Sequence, residues 1–131
     1  MQVTRRQILR AIRTEKLKPG SFLHEKRIRK GFEEYDYVSD KTCKVCAVGA
    51  VLRVAGVKNE LIDSLGYSVC KTSAIDSAGD EEASIQEGDF MGALSVKFEK
   101  LAEKHGTGKR TREKLCKFVK DNFPKKVKLD T

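Results

Sequence analysis

The chain has 131 residues, a formal net charge of +8, 39% hydrophobic residues, four cysteines and two prolines. This length predicts one compact domain, 1–131, with a core of its own. The composition excludes a disordered chain and a disulfide-stapled scaffold. The first residues lack the apolar stretch of a signal peptide, and no apolar run reaches transmembrane length. We therefore expect a cytoplasmic protein with reduced thiols and no membrane association.

The charge is unevenly distributed along the chain. Residues 1–30 carry ten Lys or Arg against two Asp or Glu, and residues 91–131 carry twelve against five. Residues 61–90 carry one base and seven acids. Two basic ends around an acidic middle predict an anionic partner, such as nucleic acid or an acidic protein surface. The alternative is that the basic residues lie on solvated outer faces of helices and bind no partner.

The N-terminal third begins with a predicted helix over 5–17. Thr4 and Gln7 have the spacing of a capping box, and arginines recur along the outer face of this helix. Residues 21–40 show no clear period. We expect them to be irregular and partly extended, with their aromatic side chains lying over the core, and they include a basic cluster over 26–30.

The most apolar stretch, 42–56, predicts a buried central helix over about 43–55. Apolar residues occupy both sides of its helical wheel, with Thr42 as a cap and Gly56 as the stop. Gly49 and Ala50, which have almost no side chain, would let another helix approach closely.

The acidic middle of the chain follows this helix. A short helix over 58–65, with Leu61, Ile62 and Leu65 facing inward and a stop at Gly66, would precede a possible strand near 67–70. The polar residues 73–88 predict an acidic surface loop, and its acids lack the spacing of a calcium loop. This loop would dock on the basic ends of the same chain or of a second copy, which allows a homo-oligomer.

The C-terminal part predicts two further helices. Asp89 would cap the first, which runs to about Lys104 before Gly106. The second covers about Lys109 to Asn122, and residues 126–130 alternate as a possible short strand. The fold class is therefore mainly α, with four to five helices around the central one.

Cys43 and Cys46 carry the sharpest candidate chemistry. Zinc would need a second pair of ligands, and the other cysteines and histidines are all single. A redox dithiol would need a preceding strand in a βαβ unit, and the sequence lacks that pattern. A cysteine hydrolase would use Cys43 with His24 or His105 as base. Core packing of the thiols is the simpler reading, so we expect no metal and no cofactor, and keep a hydrolase or thiol-redox enzyme using Cys43 or Cys46 as the alternative function.

Three short stretches carry a resemblance. Cys46-Ala-Val-Gly-Ala50 resembles a motif of small uncharacterised proteins of tailed bacteriophages and their bacterial hosts. Ala93-Leu-Ser-x-x-Phe98-Glu99 and Phe118-Val-x-x-Asn122-Phe-Pro124 have the same character. The resemblance implies a phage origin, action in the host cytoplasm, and binding to host machinery or a defence complex, as an inhibitor in the latter case. It implies no catalytic residues.

These observations predict a small helical binding protein rather than an enzyme, docking on nucleic acid, an acidic host protein or a host nucleoprotein. Its contacts would come from the basic residues of the predicted N-terminal helix, the 26–30 cluster and the last helix. These residues are Arg6, Arg10, Arg13, Lys26, Arg27, Arg29, Lys30, Lys109, Arg110, Arg112, Lys117 and Lys120.

Overall fold

The computed structural model describes residues 1–40, 42–70 and 80–129, and this part is mainly helical. It contains six helices rather than the predicted four to five, together with two small two-stranded sheets. The helices are α1 (Arg5–Thr14), α2 (Ala47–Val54), α3 (Asn59–Val69), α4 (Glu81–Gln86), α5 (Phe90–His105) and α6 (Lys109–Asn122). The strands are β1 (Gln2–Thr4), β2 (Lys26–Gly31), β3 (Glu34–Val38) and β4 (Lys126–Lys128). No helix in the described ranges is long and apolar enough to cross a membrane.

The two ends of the chain meet in one sheet. β1 pairs antiparallel with β4, and Val3 lies opposite Val127 with both side chains buried. The predicted C-terminal strand is confirmed for 126–128, and residue 130 lies outside the described residues. This pairing brings the basic N-terminal and C-terminal segments to the same side of the molecule.

Helix α1 begins as predicted and ends earlier. Thr4 accepts a hydrogen bond from the backbone N–H of Gln7, and the Gln7 side chain accepts one from the backbone N–H of Thr4, which confirms the capping box. The helix stops at Thr14 rather than at residue 17. The chain beyond it is extended because the backbone groups of Lys16 and Lys18 bond to Val45.

Helix α2 is shorter than predicted. It starts at Ala47, not at residue 43, and its N-cap is Cys46, whose Sγ accepts from the backbone N–H of Gly49 at 3.4 Å. Val45 cannot be helical because its backbone bridges Leu17 on one side and Leu23 on the other. Every residue from Ala47 to Leu52 is buried, and α2 packs against α1, α3 and α5.

Helix α3 overturns two predictions. Gly66 lies inside the helix rather than at its end, and residues 67–69 are helical, not a strand. The helix continues because the ring of Phe22 packs against Gly66, where a side chain would collide with it. Of the three residues predicted to face inward, Ile62 is fully buried and Leu65 partly buried, whereas Leu61 is 47% exposed.

The predicted acidic loop contains a helix. Residues 81–86 form α4, which Asp80 caps by accepting a hydrogen bond from the N–H of Glu82. Glu81 contacts Lys100 at 2.8 Å and Lys97 at 3.6 Å, so this segment docks on α5, which lies in the basic C-terminal part of the same chain. Residues 73–79 of the predicted loop lie outside the described residues.

The predicted α5 and α6 are confirmed to within a residue. Asp89 caps α5 by accepting from the N–H of Gly92 at 3.0 Å, and Gly106 ends it with a φ of 78°. The buried hydroxyl of Thr111 donates to the carbonyl of Gly106 at 2.6 Å. This bond fixes the start of α6 to the end of α5.

Candidate nucleic-acid interface

An exposed β-hairpin, here called the arm, occupies the segment predicted to be irregular. β2 and β3 pair antiparallel, and Phe32 and Glu33 connect them, with Glu33 at a φ of 64°. The aromatic residues of the arm do not cover the core, since Phe32 is 86% and Tyr37 66% exposed, whereas Phe22, which precedes the arm, packs against the core as predicted. Every residue of β2 is exposed as well, so these side chains have no apolar surface to bury against.

The register of the arm sorts its side chains onto two faces. Arg27 lies opposite Tyr37 and Arg29 opposite Tyr35, and residues directly opposite in an antiparallel pair share a face. We call these four residues the Arg–Tyr face. The guanidinium carbon of Arg27 lies 3.5 Å from the centroid of the Tyr35 ring, a cation–π contact between diagonal neighbours.

The opposite face of the arm is electrically compensated. Lys30 contacts Asp36 at 3.2 Å, while Lys26 lies 3.7 Å from Asp40 and also donates to the hydroxyl of Thr42. Hydrogen bonds from the hydroxyl and the backbone N–H of Thr42, with the nearby charge of Lys26, lower the pKa of Asp40. This carboxyl therefore stays ionised and holds the lysine.

The Arg–Tyr face keeps its positive charge. Among the described residues, neither Arg27 nor Arg29 forms an ion pair with a carboxylate; Arg29 donates from Nε to the carbonyl of Gly31 at 3.3 Å. Tyr35 remains 40% exposed beside these guanidinium groups. The face thus offers two cations and two aromatic rings to solvent.

A second basic surface lies where α1 and α6 pack together. It is a groove of about 630 Å³, here called the α1–α6 groove. Residues of α6 three or four positions apart form one wall, and the C-terminal turn of α1 forms the other. The lining residues are Arg13, Lys109, Arg112, Glu113, Cys116, Lys117 and Lys120.

Arg112 joins the two walls of the groove. Its Nη1 donates to the carbonyl of Ile12 at 2.6 Å and its Nε to the carbonyl of Thr107 at 3.3 Å. Lys109 and Lys117 have acidic neighbours on the same helix, Glu113 at 3.7 Å and Asp121 at 2.7 Å. Both are exposed pairs one turn apart, so they compensate part of the positive charge of these two lysines, as the lysine pairs of the arm do.

The predicted contact residues therefore fall into separate groups. The structure brings together those of the arm and, independently, those of the groove. Arg6 and Arg10 lie exposed on α1 and Arg110 at the start of α6, and none of the three lines the groove. Tyr35 and Tyr37 were missed as contact residues. Alternating side chains on both sides of Gly31 would have indicated a hairpin.

The cysteines do not form the predicted pair on one helix. Cys43 precedes α2, and its Sγ accepts from the backbone N–H of Asp40 at 3.3 Å. Burial raises the pKa of Cys46 to about 11 and that of Cys70 to about 12. A nucleophilic thiol needs a lowered pKa, so these environments disfavour an enzyme that uses Cys46. In the described ranges no three His, Cys, Asp or Glu side chains cluster as metal ligands.

Comparisons of the chain with protein-family models, with curated proteins and with solved structures give no match. A functional assignment must therefore come from the chemistry of the arm and the groove. The phage resemblance of the sequence motifs stays a prediction.

Proposed function

We propose that this protein binds single-stranded nucleic acid through the Arg–Tyr face of its arm. The observation that supports the proposal is the solvent-exposed placement of Tyr35 and Tyr37 opposite Arg29 and Arg27. Unpaired bases stack on aromatic rings and on guanidinium planes, and arginines neutralise the adjacent phosphates. A surface that carries both groups in alternation suits a strand whose bases are accessible.

The segregation of charge on the arm favours this face over the other. The lysines of the opposite face are already paired with Asp36 and Asp40, so binding a phosphate there would displace a carboxylate. Within the described part of the chain, the two arginines have no such carboxylate partner to lose on binding. Stacking also tolerates any base, so we expect little sequence preference.

The test is fluorescence anisotropy with a labelled oligothymidylate at low salt. Arg27→Gln with Arg29→Gln should weaken binding at least about tenfold, because two charge-assisted contacts are removed. Lys26→Gln with Lys30→Gln removes the same net charge from the opposite face and serves as the matched control. Equal losses in both double variants, or no binding by the wild-type protein, would refute the proposal.

A second set of variants tests how much the tyrosine rings contribute to binding. Tyr35→Ala with Tyr37→Ala should lose about 1–3 kcal/mol per stacked base, whereas the double Phe variant keeps the rings and most of the affinity. Tyr67→Ala removes a ring of similar exposure, 64%, from α3 and should have no effect. A duplex competitor of the same length should compete poorly, since its bases are already stacked.

The phage resemblance extends this proposal to a host nucleoprotein, such as a defence complex, whose exposed nucleic acid the arm would contact. A pull-down from host lysate with and without nuclease separates the two forms of the partner. Recovery that survives nuclease treatment would indicate an acidic protein surface instead of nucleic acid.

A further inference from the structure

We propose that the α1–α6 groove is a second site, distinct from the arm, that binds phosphate groups. The groove carries five cations, Arg13, Lys109, Arg112, Lys117 and Lys120, against one carboxylate, Glu113. Its volume of about 630 Å³ lies in the range of small-molecule sites. Such a concentration of positive charge in a concave surface attracts multiply charged anions.

Three of these cations act on one residue of the groove. The buried thiol of Cys116 forms part of the lining, and the charges of Arg13, Lys120 and Arg112 all act on it. Burial raises the pKa of this thiol, and the three cations oppose that rise. Arg13, Arg112 and Lys120 all line this one concave surface, and the oxygens of a phosphate group bound in it can accept hydrogen bonds from more than one cation.

Part of this arrangement is rigid before any ligand arrives. Arg112 is half-buried and held by the carbonyls of Ile12 and Thr107, so its charge stays at the junction of the two helices. Arg13 and Lys120 are exposed at the end of α1 and near the end of α6. A cation that is held in place before binding loses less entropy on binding than a free side chain does.

The lining residues also indicate the class of ligand. None of them is aromatic, so the groove offers no ring on which a base could stack. Its recognition must therefore depend on charge. Two sources supply the same phosphate chemistry: a free phosphorylated small molecule, or the backbone of a nucleic acid bound elsewhere on the protein.

The first measurement uses inorganic pyrophosphate in isothermal titration calorimetry. Arg13→Gln with Lys120→Gln should weaken binding at least tenfold. Arg6→Gln with Lys114→Gln removes one Arg from α1 and one Lys from α6 outside the groove, so it is the matched control and should bind normally. Glu113→Gln removes the one carboxylate that lines the groove among the described residues and should tighten binding severalfold. All these side chains are exposed, and circular dichroism would confirm folding.

The second measurement repeats the anisotropy titration with oligothymidylate on the same variants. A loss of pyrophosphate binding confined to Arg13→Gln with Lys120→Gln supports a small-molecule site. A loss of oligonucleotide affinity confined to that variant supports a backbone site. Equal losses of affinity in the groove variant and its control, or no loss in either measurement, would overturn the proposal. Pyrophosphate binding that survives Arg27→Gln with Arg29→Gln separates this site from the arm.

Discussion

The backbone of Phe22 lies directly against Gly49 of α2. A Cβ atom on Gly49 would stand 2.0 Å from the carbonyl oxygen of Phe22 and 2.9 Å from its carbonyl carbon. The same oxygen accepts a hydrogen bond from the N–H of Cys46 at 3.3 Å. The sequence predicted that Gly49 and Ala50 admit a neighbouring helix, but the close neighbour of Gly49 is a bend outside the helices and strands.

Gly49→Ala should therefore be severely destabilising. The new methyl group would overlap backbone atoms, which cannot rotate away as a side chain can, so we expect a loss of at least about 3 kcal/mol in the free energy of unfolding. Urea denaturation measures it. Gly108→Ala makes the same chemical change where no atom lies within 4 Å, and should cost less than about 1 kcal/mol. Similar losses at the two positions would contradict the packing described here.

The effect of Gly66→Ala on stability should reverse when the ring of Phe22 is removed. The added Cβ would stand 2.5 Å from Cγ of Phe22, so the substitution is destabilising in the wild-type protein. In a Phe22→Ala background the ring is gone, and the helix preference of Ala over Gly should instead stabilise the protein by about 1 kcal/mol. A double-mutant cycle by thermal or urea unfolding measures this coupling. Additive effects would show that the ring does not restrict position 66.

The ion pair between α4 and α5 should make stability depend on acid pH. Partial burial would raise the pKa of Glu81, but hydrogen bonds from Lys100 and the backbone, and the charges of Lys100 and Lys97, outweigh burial and lower it. A carboxyl whose pKa falls on folding contributes stability above its ordinary value of 4.5, and loses it as the pH falls through the lowered value.

Glu81→Gln should accordingly cost about 1 kcal/mol at pH 7 and almost nothing at about pH 2. Urea unfolding across this range measures the difference. Glu82→Gln, at an exposed position in the same turn, is the control and should show no such pH dependence. A constant difference at all pH values would mean that the contact is not electrostatic.

The buried cysteines should resist alkylation in the folded protein. With pKa values of about 11 and 12, Cys46 and Cys70 have almost no thiolate at pH 8, and their side chains are also inaccessible. Iodoacetamide labelling followed by peptide mass spectrometry should modify them only after denaturant is added. Rapid labelling of Cys46 at pH 6 would instead support the alternative function, an enzyme that uses this cysteine.

The salt dependence of binding should identify the arm's contribution. Each phosphate contact on a single strand contributes about 0.7 to the slope of log K against log salt concentration. Arg27→Gln with Arg29→Gln should reduce the slope by about 1.4, and the lysine control should leave it nearly unchanged. Anisotropy titrations at several salt concentrations measure both slopes. An unchanged slope in the arginine variant would place the phosphates elsewhere.

The sequence by itself determined the elements whose signals are local. The capping box of Thr4, the Asp89 cap and the positive φ at Gly106 depend on residues within one turn, and so did the bounds of α5 and α6. The basic residues predicted as contacts are exposed except for Arg112, which is half-buried, because a charged group is costly to bury.

The tertiary structure decided what depends on distant partners. Val45 is extended because its backbone bonds to Lys16 and Lys18, which no local pattern reveals, so the helix predicted from residue 43 starts at Ala47. Tyr37 is exposed because the arm extends where no apolar surface covers it. Both basic surfaces depend on such pairings: the strand register defines the Arg–Tyr face, and the packing of α1 against α6 forms the groove.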